Sequence, residues 1–535
     1  MKMRLWPALL ILAAGGLWIA KIWLTGGEIR QAQVMGTIGT AALMLILLIL
    51  WLAFLSRLPR RVRFGGAAAI LVVLAALAGL FRIRGVTGDL LPILEPRWTR
   101  EGPAAPGPGT LAPSPSPVAP LPAMVAVASP ASPAEATAAA PAPVVPVEPA
   151  ADSSYPQFLG PARDGTLAGP RLARDWSAHP PRQLWRQPVG EGWSGFAVQG
   201  NVAITQEQHG GEERVVAYDV QTGRALWSHA DNARYSNVIA GTGPRSTPTV
   251  GAGRVFTMGG TGILNALDLA TGRRLWTHDV IKENEGNLPE WGKSCSPLVV
   301  DGRVIVSAGG AGRSLVAYDA ASGERVWAAG SDGASYSSPV LLTLGGRTQV
   351  VILNRSSVAG HDPATGALLW EQPFPSEQPN VASPIALPGD RLLVSAGYGI
   401  GSKLYRLAAG GSGLQATMGW ESPRLKSKFA NMVFRGGYVY GLDDGVLTCL
   451  DPTTGERRWK SGRYGHGQLL LVAGLLVVQT EEGEVVLIDP SPDAHRELTR
   501  FAVLSGKTWN PPALAGRRLL VRNDREAAAY ELPSE

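Results

Sequence analysis

The sequence predicts an all-β fold, an eight-bladed β-propeller of four-stranded blades, preceded by three transmembrane α-helices and a disordered Pro/Ala-rich linker. Three observations lead there. A nine-residue hairpin signature recurs five times at blade-like intervals, three apolar runs occupy the first hundred residues, and the stretch 101–151 between them has the composition of a tether. The implied division is an anchor over 1–100, a linker over 101–151 and a propeller over 152–535.

In the anchor, the runs 5–24 (interrupted by Lys21), 38–55 and 64–81 each approach the ~20 apolar residues needed to cross a hydrocarbon core. The loop 56–63 carries Arg57, Arg60, Arg61 and Arg63, whereas in the loop 25–37 Arg30 is balanced by Glu28. The positive-inside bias therefore assigns the second loop to the cytoplasm. Three spans then place everything after Phe81 outside it, although Arg82 and Arg84 pull mildly the other way. The bilayer is thus the first expected partner. The net charge of +6 does not indicate nucleic-acid binding, because residues 1–100 hold 12 Lys+Arg against 3 Asp+Glu and the remainder 37 against 40. No nucleic-acid partner is expected.

The stretch 101–151 contains 14 of the 42 prolines, three charged residues (Glu101, Glu135, Glu148) and no aromatic residue, so it has little with which to form a core. At about 3.1 Å per residue a Pro-rich tether of this length could hold the next domain up to roughly 150 Å from the bilayer.

The recurring signature reads Asp-x-x-Thr/Ser-Gly-x-x-x-Trp. It occurs at Asp219, Gly223 and Trp227; Asp268, Gly272 and Trp276; Asp319, Gly323 and Trp327; Asp362, Gly366 and Trp370; and Asp451, Gly455 and Trp459. An apolar alternating strand enters the Asp, a turn follows in which Gly supplies the positive φ, and a second strand carries the Trp. Another hairpin precedes most of these, giving four short strands per ~45 residues, the propeller signature. The interval from Asp362 to Asp451 is 89 residues, about twice the others, so a blade is hidden there, its degenerate hairpin running from Leu404 to Trp420. The same phase falls on Asp489 and then on Tyr530, making eight third strands. The last has no fourth strand after it, and the segment around Trp185 before the first blade reads as the missing one. Closure by the two chain ends removes exposed sheet edges.

This motif resembles the tryptophan-docking repeat of pyrroloquinoline-quinone (PQQ)-type propellers over roughly 155 to the C-terminus, and the lead-in 155–165 is similar to the Phe-x-Gly-Pro-x-x-Asp-Gly opening of such proteins. The resemblance implies that Trp185, Trp227, Trp276, Trp327, Trp370 and Trp459 staple neighbouring blades. It reaches two kinds of protein, quinoprotein alcohol or sugar dehydrogenases and a periplasmic propeller lipoprotein of the outer-membrane barrel assembly machinery. Fold alone does not choose between them. The alcohol dehydrogenases carry an adjacent Cys pair, whereas Cys295 and Cys449 fall in different blades, and compact blades leave little room for insertions that enclose a quinone. The expectation is a non-enzymatic binding or scaffolding module with no cofactor and a possible periplasmic protein partner, at the inner (cytoplasmic) membrane with the propeller on the periplasmic or extracytoplasmic side. The alternative is a membrane-bound PQQ-dependent dehydrogenase using PQQ with calcium.

No metal site is expected, because the sequence has no CxxC, zinc-helix or calcium-loop spacing. The Gly506-Lys507-Thr508 run lacks the Gly that a phosphate loop needs at position 501, where Phe501 stands. His229, His278 and His361 occupy repeat positions and read as scaffold. Ligand candidates therefore gather on the loops arriving at the channel mouth, which are longest after Trp227 and Trp276. Those loops carry Asn232, Arg234, Tyr235, Arg245, Glu283, Glu285, Trp291 and Lys293. Other loops add Trp193, Tyr336, Asn380, Lys428, Asn431, His466, Trp509 and Asn510. Aromatic faces, amides and cations on one mouth suit a planar anion or a peptide carboxylate.

Overall fold

The computed structural model describes residues 4–25, 29–99, 154–410 and 413–535. The expected linker lies outside the described residues.

The signature folds as its chemistry dictates. Asp219 Oδ1 accepts from the backbone N–H groups of Gln221 and Thr222 and from the Thr222 hydroxyl, and Gly223 takes φ +72°. Asp268, Asp319 and Asp362 repeat this Asx turn. Each turn joins the third and fourth strands of a blade. Blade 1, for example, consists of Ala197–Gln199, Val202–His209, Glu212–Asp219 and Ala225–Asp231 in sequential order. Eight such sheets are present among the described residues. The hidden blade pairs Gly401–Gly410 with Gly413–Ser422, Leu404 standing opposite Trp420. The last blade takes its fourth strand from Arg182–Pro188, with Ala529 opposite Trp185, so the propeller closes as expected.

The tryptophans lock blade to blade. A Cβ added to Gly223, Gly272, Gly323, Gly366 or Gly455 would lie within 3.0 Å of the ring of Trp185, Trp227, Trp276, Trp327 or Trp420 respectively. The indole N–H groups of those five residues donate to Val220, Leu269, Ala320, Pro363 and Pro452 in the turn of the following blade. Trp370 differs. The blade after it lacks the Asp and Gly, and its indole N–H donates instead to Gln349 of its own blade. Alternating apolar residues bury Val216 and Tyr218 of blade 1 against Leu520 and Ala528 of blade 8 in one core, with similar clusters between other blades.

Before the propeller come α1 (Trp6–Thr25), α2 (Arg30–Leu50, continued by a wide turn over Trp51–Leu55) and α3 (Arg60–Leu80). All three are long and apolar enough to cross a membrane. Arg60, Arg61 and Arg63, expected in a loop, form the first turns of α3, which starts directly after Pro59 at the N-cap. The Arg4 backbone meets Ser56 at one end of the bundle, while Trp23 donates to Thr37 at the other.

Residues after α3 hold an element the sequence reading did not assign. Strand β1 (Phe81–Val86) follows α3 directly and pairs antiparallel with β2 (Pro92–Pro96), from Phe81 opposite Pro96 to Val86 opposite Pro92.

Candidate functional site

Each blade begins at its innermost strand. The connections arriving from the previous blade, and those between second and third strands, therefore open on one face, and the Asp-Thr-Gly turns lie on the other. The channel is closed from both sides.

From the turn side, the lead-in enters the channel. Tyr155 exchanges backbone bonds with Val198, Pro156 accepts from Val250, and Thr166–Leu167 pairs in parallel with Leu471 and Val472. Arg163, 4% exposed, donates to the carbonyls of Pro339 (2.8 Å), Pro297 (3.0 Å) and Ser296 (2.5 Å), so one side chain spans two blades. Burial pulls its guanidinium down to about 10.

From the mouth side, the β1–β2 hairpin forms a cap whose turn enters the channel. The Gly88 N–H donates to Glu481 Oε1 (2.6 Å), and the Gly88 carbonyl accepts from Lys428 Nζ (2.5 Å). The Val86 carbonyl accepts from Lys507 Nζ (3.1 Å). Asp89 lies 3.1 Å from His466 Nε2 and 2.8 Å from Arg30 Nε. Further out, Arg84 pairs with Asp524 (2.7 Å) and Glu95 with Arg525 (2.6 Å). These contacts seat the propeller directly on the segment leaving α3.

Between Phe158 of the lead-in and Val86, Gly88 and Leu90 of the cap lies a cavity of about 160 Å³. Its wall is largely aromatic. Trp193 and Trp509 rings lie 5.0 Å apart, Phe429 and Trp509 4.9 Å, and Trp291 and Tyr336 5.4 Å. Three cations stand over these or adjoining rings: Lys507 at 4.0 Å from the Trp509 centroid, Lys428 at 4.6 Å from Tyr398 and Arg245 at 4.4 Å from Tyr235. Their hydrogen bonds run to neutral groups, Gly88 and Gln31 for Lys428, Val86 for Lys507, and the carbonyls of Ala240, Gly241 and Gly243 for Arg245. Burial therefore wins over the distant acids, lowering Lys428 and Lys507 to about 8 and Arg245 to about 10.

Of the sequence candidates, Trp193, Arg245, Trp291, Tyr336, Lys428, Asn431 and Trp509 line this cavity, and His466 stands behind its Phe429 wall, the ring centroids 5.6 Å apart. Four do not. Lys293 is buried against the carbonyls of Ser307 and Ala308, Asn380 serves those of Asn354 and Arg355, and Asn510 those of Gly192 and Ser194. Arg234 donates to Gly210 on the rim. Each satisfies backbone carbonyls, in a loop or turn or, for Lys293, at the irregular end of the strand Arg303–Gly310. Sequence reasoning missed Phe429, Tyr398, Glu481 and the cap itself. The alternation of 81–86 and 92–96 around Thr87-Gly88-Asp89 was a usable hairpin signal. Lys507 carries no sequence signal beyond the incomplete phosphate motif Gly506-Lys507-Thr508.

PQQ with calcium, raised by the resemblance, does not fit the capped mouth. The cap stands over the aromatic wall, both Glu481 oxygens accept hydrogen bonds from Gly88, Trp509 and His466, and Asp89 belongs to the cap. Cys295 and Cys449 sit in separate cores. No chemical step is derived through that group.

A family model described as outer membrane protein assembly factor BamB matches residues 169–292, 211–461 and 443–532. The chain belongs to this family. No curated protein matches it significantly. Among solved structures, BamB from Moraxella catarrhalis is 17% identical, with 66% of this chain and 98% of that one covered at a TM-score of 0.48. The quinohemoprotein alcohol dehydrogenase from Comamonas testosteroni is 16% identical, with 73% and 82% covered at 0.51. Identities this low establish the shared PQQ-repeat propeller alone. The anchor, the cap and the lead-in precede residue 169 and so lie outside the segments matched to the BamB family.

Proposed function

We propose that this chain is a membrane-anchored binding or scaffolding module without a catalytic centre, held at the inner (cytoplasmic) membrane with its propeller on the periplasmic or extracytoplasmic side. The observation that carries this reading is the capped mouth. Lys428, Lys507, Glu481 and His466, the groups that could clamp an anion or move a proton, hold the chain's own hairpin. A protein partner then meets the turn face or the outer strands, where Val326, Leu368 and Met418 are exposed. This differs from the loop-rich face that the sequence suggested for a partner.

Photocrosslinkers placed at Leu368 and Val326 in intact membranes test the proposal. Capture of one discrete protein, dependent on position, is the expected result, and no crosslinked species from either site would overturn it. A parallel titration of the full chain with PQQ and calcium, read by absorbance and dye reduction, is expected to show no stoichiometric binding. Binding with dye reduction by an alcohol or sugar would replace the scaffold reading with a quinoprotein dehydrogenase, and Lys428 and Arg245 would then be the first residues to substitute.

A further inference from the structure

Ten large apolar side chains are exposed beyond α3 among the described residues, and they are not evenly spread. Four lie on the cap and its flank (Ile83, Leu91, Leu94, Trp98), and Val238, Ile239 and a seventh sit on mouth-side connections; the other three lie on outer strands. Among the described residues the turn face has none. An apolar surface concentrated on one face marks a contact surface.

Three distances identify what covers it. First, α3 ends at Leu80 and β1 starts at Phe81, so the cap rises directly from a candidate membrane span; Arg97 N–H returns to Leu80 O (2.8 Å), placing Trp98 level with the helix end. Second, Gln31 in the first turn of α2 bonds Lys428 of the mouth (3.2 Å). The apolar run of that helix begins at Ile38, about 10 Å further along at 1.5 Å per residue. A headgroup layer is roughly 5–8 Å thick on each side of the hydrocarbon core, so the Gln31–Lys428 contact falls at the outer edge of the headgroups, and the loops that project from the mouth toward the bilayer reach into them. Third, loop 236–242, with Val238 68% exposed at its tip, lies beside the cap, a Cβ at Gly85 falling 3.7 Å from Val238 O. Trp23 and Trp98 stand at this end of the bundle, as interfacial aromatics do, and the exposed Arg97 and Arg234 add positive charge toward anionic headgroups.

We propose that the mouth face of the propeller is a lipid-contact surface, seated in the headgroup layer of the bilayer that holds α1–α3, with Val238 and Ile239 inserted from loop 236–242. It rests on the membrane-anchored reading above. Seated this way, the propeller turns its opposite face, with the Asp-Thr-Gly turns, to the aqueous space.

The test uses the full chain in vesicles of phosphatidylethanolamine and phosphatidylglycerol doped with nitroxide lipids. Cys295 and Cys449 are fully buried, so a polarity-sensitive fluorophore can be directed to an introduced thiol. Val238→Cys and Leu94→Cys report on the mouth face, Ala321→Cys on the opposite face and Leu17→Cys on α1. Shallow nitroxides should quench the probes at 238 and 94 at least about twofold more than the probe at 321, as for a shallowly inserted segment. Quenching at 17, with 238 and 94 no more quenched than 321, would overturn the lipid contact and leave the anchor intact. Absence of quenching at 17 would overturn the anchored reading and this inference with it.

Discussion

At the tip of the cap, Asp89 faces His466, Arg30 and Arg463. Burial raises its carboxyl pKa, but the hydrogen bond and charge of His466, with the two arginines, outweigh this and hold it below its ordinary 3.8. A depressed folded value means stability present above 3.8 and lost as pH falls through the lower folded value. The Asp89 contribution should therefore be complete above its ordinary 3.8 and lost in acid. Asp89→Asn is expected to speed amide exchange across 87–91 at about pH 7 by about tenfold, the scale of one charged hydrogen bond, and to make no difference once acid has protonated the wild-type carboxyl. Glu213 has the opposite sign. It is buried, its Oε2 lacks a hydrogen-bond partner among the described residues, and burial raises it from 4.5 to about 7. Its contribution is complete below pH 4.5 and lost as pH rises through about 7. Glu213→Gln should thus stabilise the full chain in detergent by up to about 3 kcal/mol at about pH 8 and hardly at all at about pH 4.5, read from urea midpoints.

Among the elements, the docking hairpin gives a way to separate backbone strain from packing. Gly272 and Gly253 both sit at φ +71°, but a Cβ on Gly272 would strike the Trp227 ring, whereas one on Gly253 meets nothing within 4 Å. Gly253→Ala should cost about 1 kcal/mol for the left-handed conformation, and Gly272→Ala roughly 2–4 kcal/mol because the blade contact must also open. Denaturation of the two variants side by side checks this, and equal losses would remove the staple role of the tryptophan. The same hairpin explains what was legible in the sequence. Asp219, Thr222 and Gly223 satisfy one another within five residues, so the pattern survives in the sequence wherever the turn does. The blade ending at Trp420 lost that turn but kept its strand phase, and could be found by spacing. Of the site, the aromatic and cationic loop residues were visible because they are chemically conspicuous. Their grouping was less so: Lys293 and Asn380 look like ligands in sequence and serve backbone carbonyls in space. Arg163 bonds carbonyls 133 to 176 residues away, and a carbonyl has no side-chain signature.

For the molecule as a whole, the linker joins residue 99 beside the membrane-side cap to residue 154 at the lead-in, which enters the channel from the turn side, while Gly88 and Glu481, 393 residues apart in sequence, form one bond. Whether the propeller is tethered or docked can be decided by cutting the covalent path. With a protease site introduced within 101–151, cleavage in vesicles leaves only the cap, the α2 contact and the surrounding lipid holding the propeller. The outer pairs Arg84–Asp524 and Glu95–Arg525 are partly exposed, worth about 0–1 kcal/mol each and weakened by salt. The bonds of Gly88 with Lys428 and Glu481 are buried, and salt screens them much less. The cleaved propeller should therefore sediment with the vesicles at both low and high salt. It should be released at high salt in a Glu481→Gln, Asp524→Asn variant, because an uncharged amide would then accept from the Gly88 N–H and Arg84 would lose its partner. Release of the wild-type propeller on cleavage would mean that the cap does not hold it and that the linker alone keeps it at the membrane.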